Sequence, residues 1–204
     1  MADKESSGNK KVSRRKFLVR GGLGTVGVLA IGTYLFRNPI RRAILEKVNS
    51  MDIEYLGSTD NPMLWFELGP ANEIILHSPK IEMGQGTFTG LAQMAADELD
   101  VPFQNIKVVH ATTDTGNIDQ FSTGGSTSIS GLWQPLRELA ATFREMMKLK
   151  GAEKLGISVS DVTVADGRVS ANGKSLFYSE IAEGVTSWTI PDAPVLKDIN
   201  TYRY

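Results

Sequence analysis

The 204-residue chain contains no cysteine and only two histidines. Without thiolates it forms no disulfide, holds no cysteine-bound iron–sulfur cluster and offers no cysteine nucleophile. A serine–histidine triad or a histidine-rich metal site is hard to build from His77 and His110 alone, and both lie in strand-like segments typical of packed or surface histidines. The net charge of −1 points to no nucleic-acid surface. We therefore expect no nucleic-acid partner and no metal ligand on this chain.

Residues 1–36 resemble an export signal. Arg14 and Arg15 precede an apolar run from Gly21 to Phe36 that contains five glycines. Paired arginines before a weakly apolar run are typical of the twin-arginine signal, whereas five glycines disfavour an ordinary buried helix. The run is shorter than the ~20 residues of a full membrane span. No A-x-A-like cleavage sequence follows, so cleavage and a retained anchor both stay open. We expect a periplasmic protein that this segment tethers to the inner membrane.

Residues 37–61 are expected to form a connector and residues 62–204 the folded domain. Apolar periodicity predicts an α+β fold, a mixed small sheet with two main helices, preceded by the N-terminal signal or anchor helix. Strands are predicted at 63–68, 73–77 and 106–110. Two long helices are predicted, one from Gly86 to before Pro102 and one from Ser130 to Lys150. A hairpin at Asp166-Gly167, a turn at Asn172-Gly173 and a short helix at 178–182 are expected to follow. Pro135 is expected in or near the first turn of the second long helix, and Glu98 on the solvent-exposed surface of the first.

Two glycine-containing segments lead directly into the predicted long helices, Ile81-Glu82-Met83-Gly84-Gln85-Gly86 and Ser122-Thr123-Gly124-Gly125-Ser126-Thr127-Ser128. Glycine lets a backbone approach a ligand closely, and the amides at a helix N-terminus attract anions. Ordinary turn formation explains either segment taken alone. The two together, with several hydroxyl groups in the second, favour a phosphate-bearing ligand. A dinucleotide fingerprint is a weaker alternative, because the third glycine, Gly90, lies outside the G-x-G-x-x-G spacing.

Four motifs resemble, in order and spacing, the large subunits of the molybdenum hydroxylases. They are Glu82 to Gly86, Ala96-Asp97-Glu98-Leu99-Asp100-Val101, Ser122 to Ser128 and Trp133-Gln134-Pro135-Leu136-Arg137. The xanthine dehydrogenase and aldehyde oxidase family is indicated, and within it the branch of isoquinoline 1-oxidoreductase β-subunits and membrane-bound aldehyde dehydrogenases. The resemblance covers residues 62–204 and includes Val195-Leu196-Lys197-Asp198.

The resemblance implies a molybdenum cofactor, either molybdopterin itself or its cytosine dinucleotide. In the family, the glutamine of the M-G-Q-G motif lies at the molybdenum centre, and this residue corresponds to Gln85. Gly84 and Gly86 would let the backbone approach the cofactor. Gly124, Gly125, Ser126 and Thr127 would contact the pterin or a phosphate. The physical preference of helix-start amides and hydroxyls for phosphate agrees with this assignment.

The chain resembles only the N-terminal part of such a large polypeptide. The family's catalytic glutamate lies in a later region that no segment of this chain matches. The resemblance therefore implies that this chain has no catalytic residue and that the base is on another chain. The expected partners are the remainder of the large subunit, an iron–sulfur small subunit and, as a further candidate, a cytochrome c. The expected reaction is hydroxylation of aldehydes or N-heteroaromatics. The alternative is a truncated, non-catalytic interaction domain in the periplasm.

Overall fold

A computed structural model of the chain describes residues 61–112 and 123–204. The predicted signal segment, the connector and most of the polar loop between 111 and 127 lie outside these ranges. None of the helices in the described ranges is both long and apolar enough to cross a bilayer.

Two three-stranded sheets and three α-helices form the main elements of the described residues. They confirm the α+β class but replace the single predicted sheet with two. The first sheet contains β1 (Phe66–Leu68), β2 (Ile74–Ser78) and β3 (Ile106–His110). The second contains β4 (Thr163–Ala165), β5 (Arg168–Ala171) and β6 (Lys174–Phe177). The helices are α1 (Thr87–Leu99), α2 (Ser128–Leu155) and α3 (Tyr178–Ala182).

The first sheet is mixed, as expected, because β2 pairs antiparallel with β1 and parallel with β3. Its first strand is shorter than predicted, since Pro62–Leu64 form a 3-10 turn. The helix α1 connects the two parallel strands and so forms one βαβ unit with them. This unit is the element of the fold that positions the two glycine segments.

The second sheet is a simple meander whose turns the sequence predicts correctly. Asp166 and Gly167 both have positive φ, of 48° and 69°, between β4 and β5. Asn172 and Gly173 repeat this pattern, with φ of 50° and 76°, between β5 and β6. Positive φ at both central residues is the requirement of a type I′ turn, and asparagine, aspartate and glycine meet it at low cost.

The helix α2 is longer than predicted and passes through the centre of the core. Its predicted apolar face, Leu132, Leu136, Leu139, Phe143 and Met147, is fully buried. The ring of Phe143 lies 5.4 Å from that of Phe66 and 6.3 Å from that of Tyr178, so the helix joins β1 to α3. The prediction for Pro135 is wrong, because the helix begins at Ser128 and the proline lies well beyond its first turn.

Candidate cofactor-binding site

The two glycine segments leave the same edge of the first sheet. Since β2 and β3 are parallel neighbours, the chain emerges from both at their common carboxyl edge. The chain after β2 leads through Gly84 and Gly86 into α1, and the next described segment after residue 112 is 123–127, which leads into α2. Ligands of open sheets with parallel strands commonly bind beyond the carboxyl ends of those strands. The topology therefore brings together two segments that lie some forty positions apart in sequence.

A direct hydrogen bond joins the two segments. The backbone N–H of Ile81 donates to Oγ1 of Thr123 over 2.9 Å. The starts of the two long helices also touch, because a Cβ built on Gly90 would lie 2.9 Å from Cδ1 of Ile129. Thr123 is not among the predicted site residues, and its role depends on a long-range contact that spacing alone does not reveal.

The first loop, defined here as Ile81 to Gly86, is organised around the carboxylate of Glu82. Gly84 and Gly86 have φ of 93° and 79°, values that side-chain-bearing residues rarely adopt. Their N–H groups donate to Oε1 of Glu82 over 2.8 and 3.0 Å, and the N–H of Phe88 donates to Oε2 over 2.9 Å. These bonds, the one from Phe88 first and the one from Gly86 second, lower the pKa of Glu82 below its ordinary value.

Gln85 closes the same loop from its other side. Its amide oxygen accepts from the N–H of Met83 at 2.5 Å, and its amide nitrogen donates to the carbonyl of Ile81 at 2.7 Å. Because one partner is a donor and the other an acceptor, they fix the orientation of the side-chain amide. Gln85 is exposed, so the residue predicted to face the cofactor lies at the surface while its amide braces the loop.

The second loop, Thr123 to Thr127, is a tight turn that starts α2. Gly125 and Ser126 both have positive φ, of 62° and 58°, and the N–H of Thr127 donates to the carbonyl of Gly124 over 3.4 Å. The hydroxyl of Thr127 donates to that same carbonyl over 3.0 Å, so it supports the turn. Gly124, Gly125 and Ser126 are exposed. No side-chain cap bond from Thr127, the residue before α2, reaches the helix amides.

Among the described residues, nothing packs against three of the loop glycines. A Cβ built on Gly84, Gly86 or Gly124 would meet no atom of the described residues within 4 Å. Gly124 also has no positive φ that would require glycine. Packing within the described residues therefore does not demand a glycine at this position, whereas close approach of a ligand would use one.

The described histidines contribute no metal site. His77 pairs with Glu67, with 3.1 Å between Nε2 and Oε2, and His110 is exposed on β3. Within 61–112 and 123–204, no cluster of three histidine, aspartate or glutamate side chains has an arrangement that could hold a metal ion.

The prediction that Glu98 lies on the surface is wrong. Its side chain is completely buried at the C-terminal end of α1. Nε of Arg137 donates to Oε1 of Glu98 over 2.9 Å, and Nη1 of Arg144 lies 3.5 Å from Oε2. The phenol of Tyr202 donates to Oε1, and the backbone N–H of Lys197 donates to Oε2 over 3.1 Å. Burial of this carboxylate is tolerable because it is paired with two cations and fully hydrogen-bonded.

This buried cluster holds the C-terminal segment, residues 195–204, against both long helices. Arg137 donates to the carbonyl of Lys197 over 3.0 Å, and Arg144 donates to that of Val195. Asp97 accepts from the N–H of Arg203 over 2.8 Å. Two of the four motifs, those at 96–101 and 133–137, therefore meet the C-terminal segment in one network, at the opposite end of α1 from the glycine loops.

Electrostatics in the cluster favour a protonated tyrosine between the two charges. Burial and then Glu98 raise the pKa of Tyr202, so its hydroxyl stays a donor to the carboxylate. Burial alone would lower the pKa of Arg137, but its hydrogen bonds to Tyr202 and Glu98 outweigh that effect and raise it. The guanidinium of Arg137 also lies 5.3 Å from the centre of the Trp133 ring. These contacts make Arg137, with Trp133 beside it, part of the packing around Glu98.

A separate cleft of about 760 Å³ lies beyond the C-terminal end of α1, and its walls include Pro102, Arg168, Phe177 and Arg203. No residue of either glycine loop lines it. The loops are the stronger candidate site, since they combine an open approach with the carboxyl edge of the parallel strands.

An α+β domain with two linked glycine loops at this edge is a candidate cofactor-binding domain, and comparison with known proteins defines its class. The profile of the molybdopterin cofactor-binding domain family matches residues 44–203. The chain belongs to this family, within the molybdenum hydroxylases.

Two dehydrogenases are similar in sequence to part of this chain. The membrane-bound aldehyde dehydrogenase (pyrroloquinoline-quinone) of Gluconacetobacter polyoxogenes is 33% identical over 120 residues, which are 59% of this chain and 15% of that protein. A nicotinate dehydrogenase subunit of Pseudomonas putida is 33% identical over 125 residues, 60% of this chain and 10% of that protein. The aligned part of this chain thus spans a small fraction of either relative's length.

Among solved structures, quinoline 2-oxidoreductase from Pseudomonas putida 86 superimposes with a TM-score of 0.45 at 20% identity. The match covers 76% of this chain and 22% of that one.

Proposed function

We propose that this chain is the N-terminal molybdopterin-binding module of an exported hydroxylase of aldehydes or N-heteroaromatics. The observation that carries the proposal is the junction of the two glycine loops through Ile81 and Thr123 at the carboxyl edge of the parallel strands. The catalytic base and the electron relay lie on other chains in this proposal. The partners are the rest of a large subunit, an iron–sulfur small subunit and, as a further candidate, a cytochrome c.

The residues at the junction fit part of such a cofactor. The backbone at Gly84, Gly86 and Gly124 is open to close approach, and the exposed hydroxyl of Ser126 offers both a donor and an acceptor. Gln85 is held at the rim by its own loop. When bound, a molybdenum cofactor supplies the redox chemistry that inserts a water-derived oxygen into a C–H bond. The residues of this chain would bind and orient that group, whether it is molybdopterin or the cytosine dinucleotide.

Metal analysis of the native complex tests the cofactor assignment. The full chain, tagged and purified from its own host, is expected to bring down a large-subunit partner and to contain molybdenum. Absorption spectra of the extracted cofactor would separate a pterin from a quinone, which matters because one relative is named for pyrroloquinoline quinone. Absence of molybdenum from both the chain and its complexes would favour the non-catalytic alternative.

A pair of matched variants asks whether Gln85 contributes to cofactor retention. Gln85→Ala is expected to lower the molybdenum content of the complex, because the loop loses both side-chain bonds that brace it. Gln134→Ala is the control, since Gln134 is exposed on α2 and its side chain donates to Glu138 over 2.6 Å. Equal metal content in the two variants would remove Gln85 from the site.

Export and membrane tethering rest on the sequence of residues 1–36. Replacing Arg14 and Arg15 by lysine is expected to leave the chain in the cytoplasm, because the twin-arginine pathway reads the arginine pair. Fractionation of the cells is the measurement, and washing the membranes with high salt separates a tethered chain from an adsorbed one. Unchanged recovery of the double variant in the periplasmic fraction would contradict this route of export.

A further inference from the structure

The carboxylate of Glu82 occupies the place where an anion would bind at the start of α1. Three backbone N–H groups, those of Gly84, Gly86 and Phe88, converge on its two oxygens over 2.8 to 3.0 Å. Gly84 lies in the loop and Gly86 directly precedes α1, whereas Phe88 is in its first turn. The amides of a first turn have no acceptors within the helix. They also attract negative charge through the helix dipole. A side chain of the protein already supplies that charge here.

The need for this arrangement follows from the residue at the start of the helix. Gly86, directly before α1, has no side chain and a left-handed backbone, so it cannot cap the helix itself. Glu82, four residues earlier, reaches the amide of Phe88 that an ordinary capping side chain would take. Gln85 then fixes the opposite side of the loop through Ile81 and Met83. These hydrogen bonds consequently brace the loop from both sides.

We infer that Glu82 is a positioning residue that fixes the first glycine loop. Its carboxylate takes the place of an anion at the N-terminus of α1 and thereby excludes phosphate from that loop. The inference rests on the proposed function, because it concerns which part of the cofactor this loop receives. A second anion would meet a carboxylate in place of free amides, and like charges at contact distance repel. The loop therefore receives a neutral, hydrogen-bonding part of the cofactor, and the phosphate lies elsewhere.

Titration of the ¹⁵N-labelled full chain with inorganic phosphate tests this inference directly. In the wild-type protein, the amide resonances of Gly84, Gly86 and Phe88 are expected to stay unchanged at millimolar phosphate. In Glu82→Ala, the same amides are expected to lose protection from hydrogen exchange by about tenfold, as charge-assisted bonds disappear, and to respond to phosphate. Saturable shifts of these three amides in the wild type would overturn the inference.

Glu180→Ala is the matched control. Glu180 accepts from the backbone N–H of Phe177 over 2.6 Å at the start of α3, so the control removes a comparable carboxylate cap elsewhere. Its phosphate response at Gly84, Gly86 and Phe88 should equal that of the wild type. If Glu82→Ala leaves exchange and phosphate response at these amides as in Glu180→Ala, Glu82 does not position the loop.

Failure of this inference is separable from failure of the proposed function. The amide measurements need no cofactor, so they decide the role of Glu82 even if the native complex contains no molybdenum. Molybdenum in the wild-type complex together with phosphate shifts at the three amides would retain the proposed function and reject the inference alone. In a loaded complex, Glu82→Ala is further expected to retain less molybdenum than Glu180→Ala.

Discussion

The two ends of α1 each place a glutamate in a network of hydrogen bonds, but the surroundings are opposite. At the N-terminal end, Glu82 lies in an exposed loop and receives bonds from backbone amides. At the C-terminal end, Glu98 is completely buried and meets two guanidinium groups, a phenol and a backbone amide. The first network shapes an open loop that a ligand could approach. The second fixes the packing of helices and the C-terminal segment, so the chemistry of a residue does not reveal its role without its environment.

The largest loss of stability is expected when the buried network around Glu98, at the C-terminal end of α1, is broken. Glu98→Ala leaves Arg137 and Arg144 without their common carboxylate, and removing one partner of a buried ion pair costs about 3–5 kcal/mol of unfolding free energy. Chemical denaturation of the full chain is the measurement. Glu153→Ala serves as control, because its carboxylate is exposed and pairs with Lys150 at the surface, where an ion pair contributes roughly 0–1 kcal/mol. Similar losses in the two variants would contradict the stabilising role of the buried cluster.

A smaller loss of stability is expected when a glycine of the first loop, at the exposed end of α1, is replaced. Gly86→Ala places a side chain at φ of 79°, and a left-handed conformation costs a residue with a Cβ about 1–2 kcal/mol. Gly124→Ala is its counterpart in the second loop, where φ is not positive and the new Cβ meets no described atom within 4 Å. We expect a loss of stability for the first variant and nearly none for the second. Equal stabilities would mean that the first loop adapts its backbone.

The tyrosine of the C-terminal segment should contribute less than the glutamate. Tyr202→Phe removes the hydroxyl that donates to Glu98 and accepts from Arg137 over 2.6 Å. The expected loss is about 1 kcal/mol, below the roughly 1.5–3 kcal/mol typical of a hydrogen bond to a charged group, because Glu98 and Arg137 still pair with each other when the hydroxyl is removed. Thermal unfolding is the measurement, and Tyr204→Phe is the comparison. The hydroxyl of Tyr204 accepts from the N–H of Phe103 and does not contact Glu98. A larger loss of stability from Tyr204→Phe would mean that Tyr204, and not Tyr202, contributes more to holding the C-terminal segment.

The sequence predicts the exposed end of α1 better than the buried end. Glycines before an amphipathic helix identify the first loop, and the type I′ pairs identify the hairpins, because these signals are local. The burial of Glu98 is also predictable in part, because Glu98 follows Leu91 and Ala95 at helical spacing and so lies on the apolar face of α1. The usual exposure of charged residues argues against that pattern and gives the wrong prediction. Its partners lie on another helix, and no local rule pairs Glu98 with Arg137 and Arg144.

The sequence predicts that the two loops share one ligand, but not the hydrogen bond that joins them. Their meeting depends on the parallel pairing of β2 and β3, which the single predicted sheet leaves undefined. Sequence reasoning misses Glu82 as a positioning residue because its partners are backbone amides, whose directions follow from the positive φ of Gly84 and Gly86. The cofactor contacts of Gly84, Gln85, Gly86 and residues 124–127 stay predictions.

The smallest of these effects should appear at the exposed end on acidification. Amides of Phe88 and then Gly86 lower the pKa of Glu82 from its ordinary value of 4.5, so the folded chain binds this proton more weakly than the unfolded chain. The contribution of Glu82 to stability is therefore fully present above about pH 4.5 and is lost as the pH falls through the lowered value. Titration of the Glu82 carboxyl carbon by NMR measures that value, and the amide shifts of Gly84, Gly86 and Phe88 should change with it. In Glu82→Gln, which has no titrating group at this position, the same amide shifts should stay constant over that range, and a matching transition in the variant would assign the change to another carboxylate.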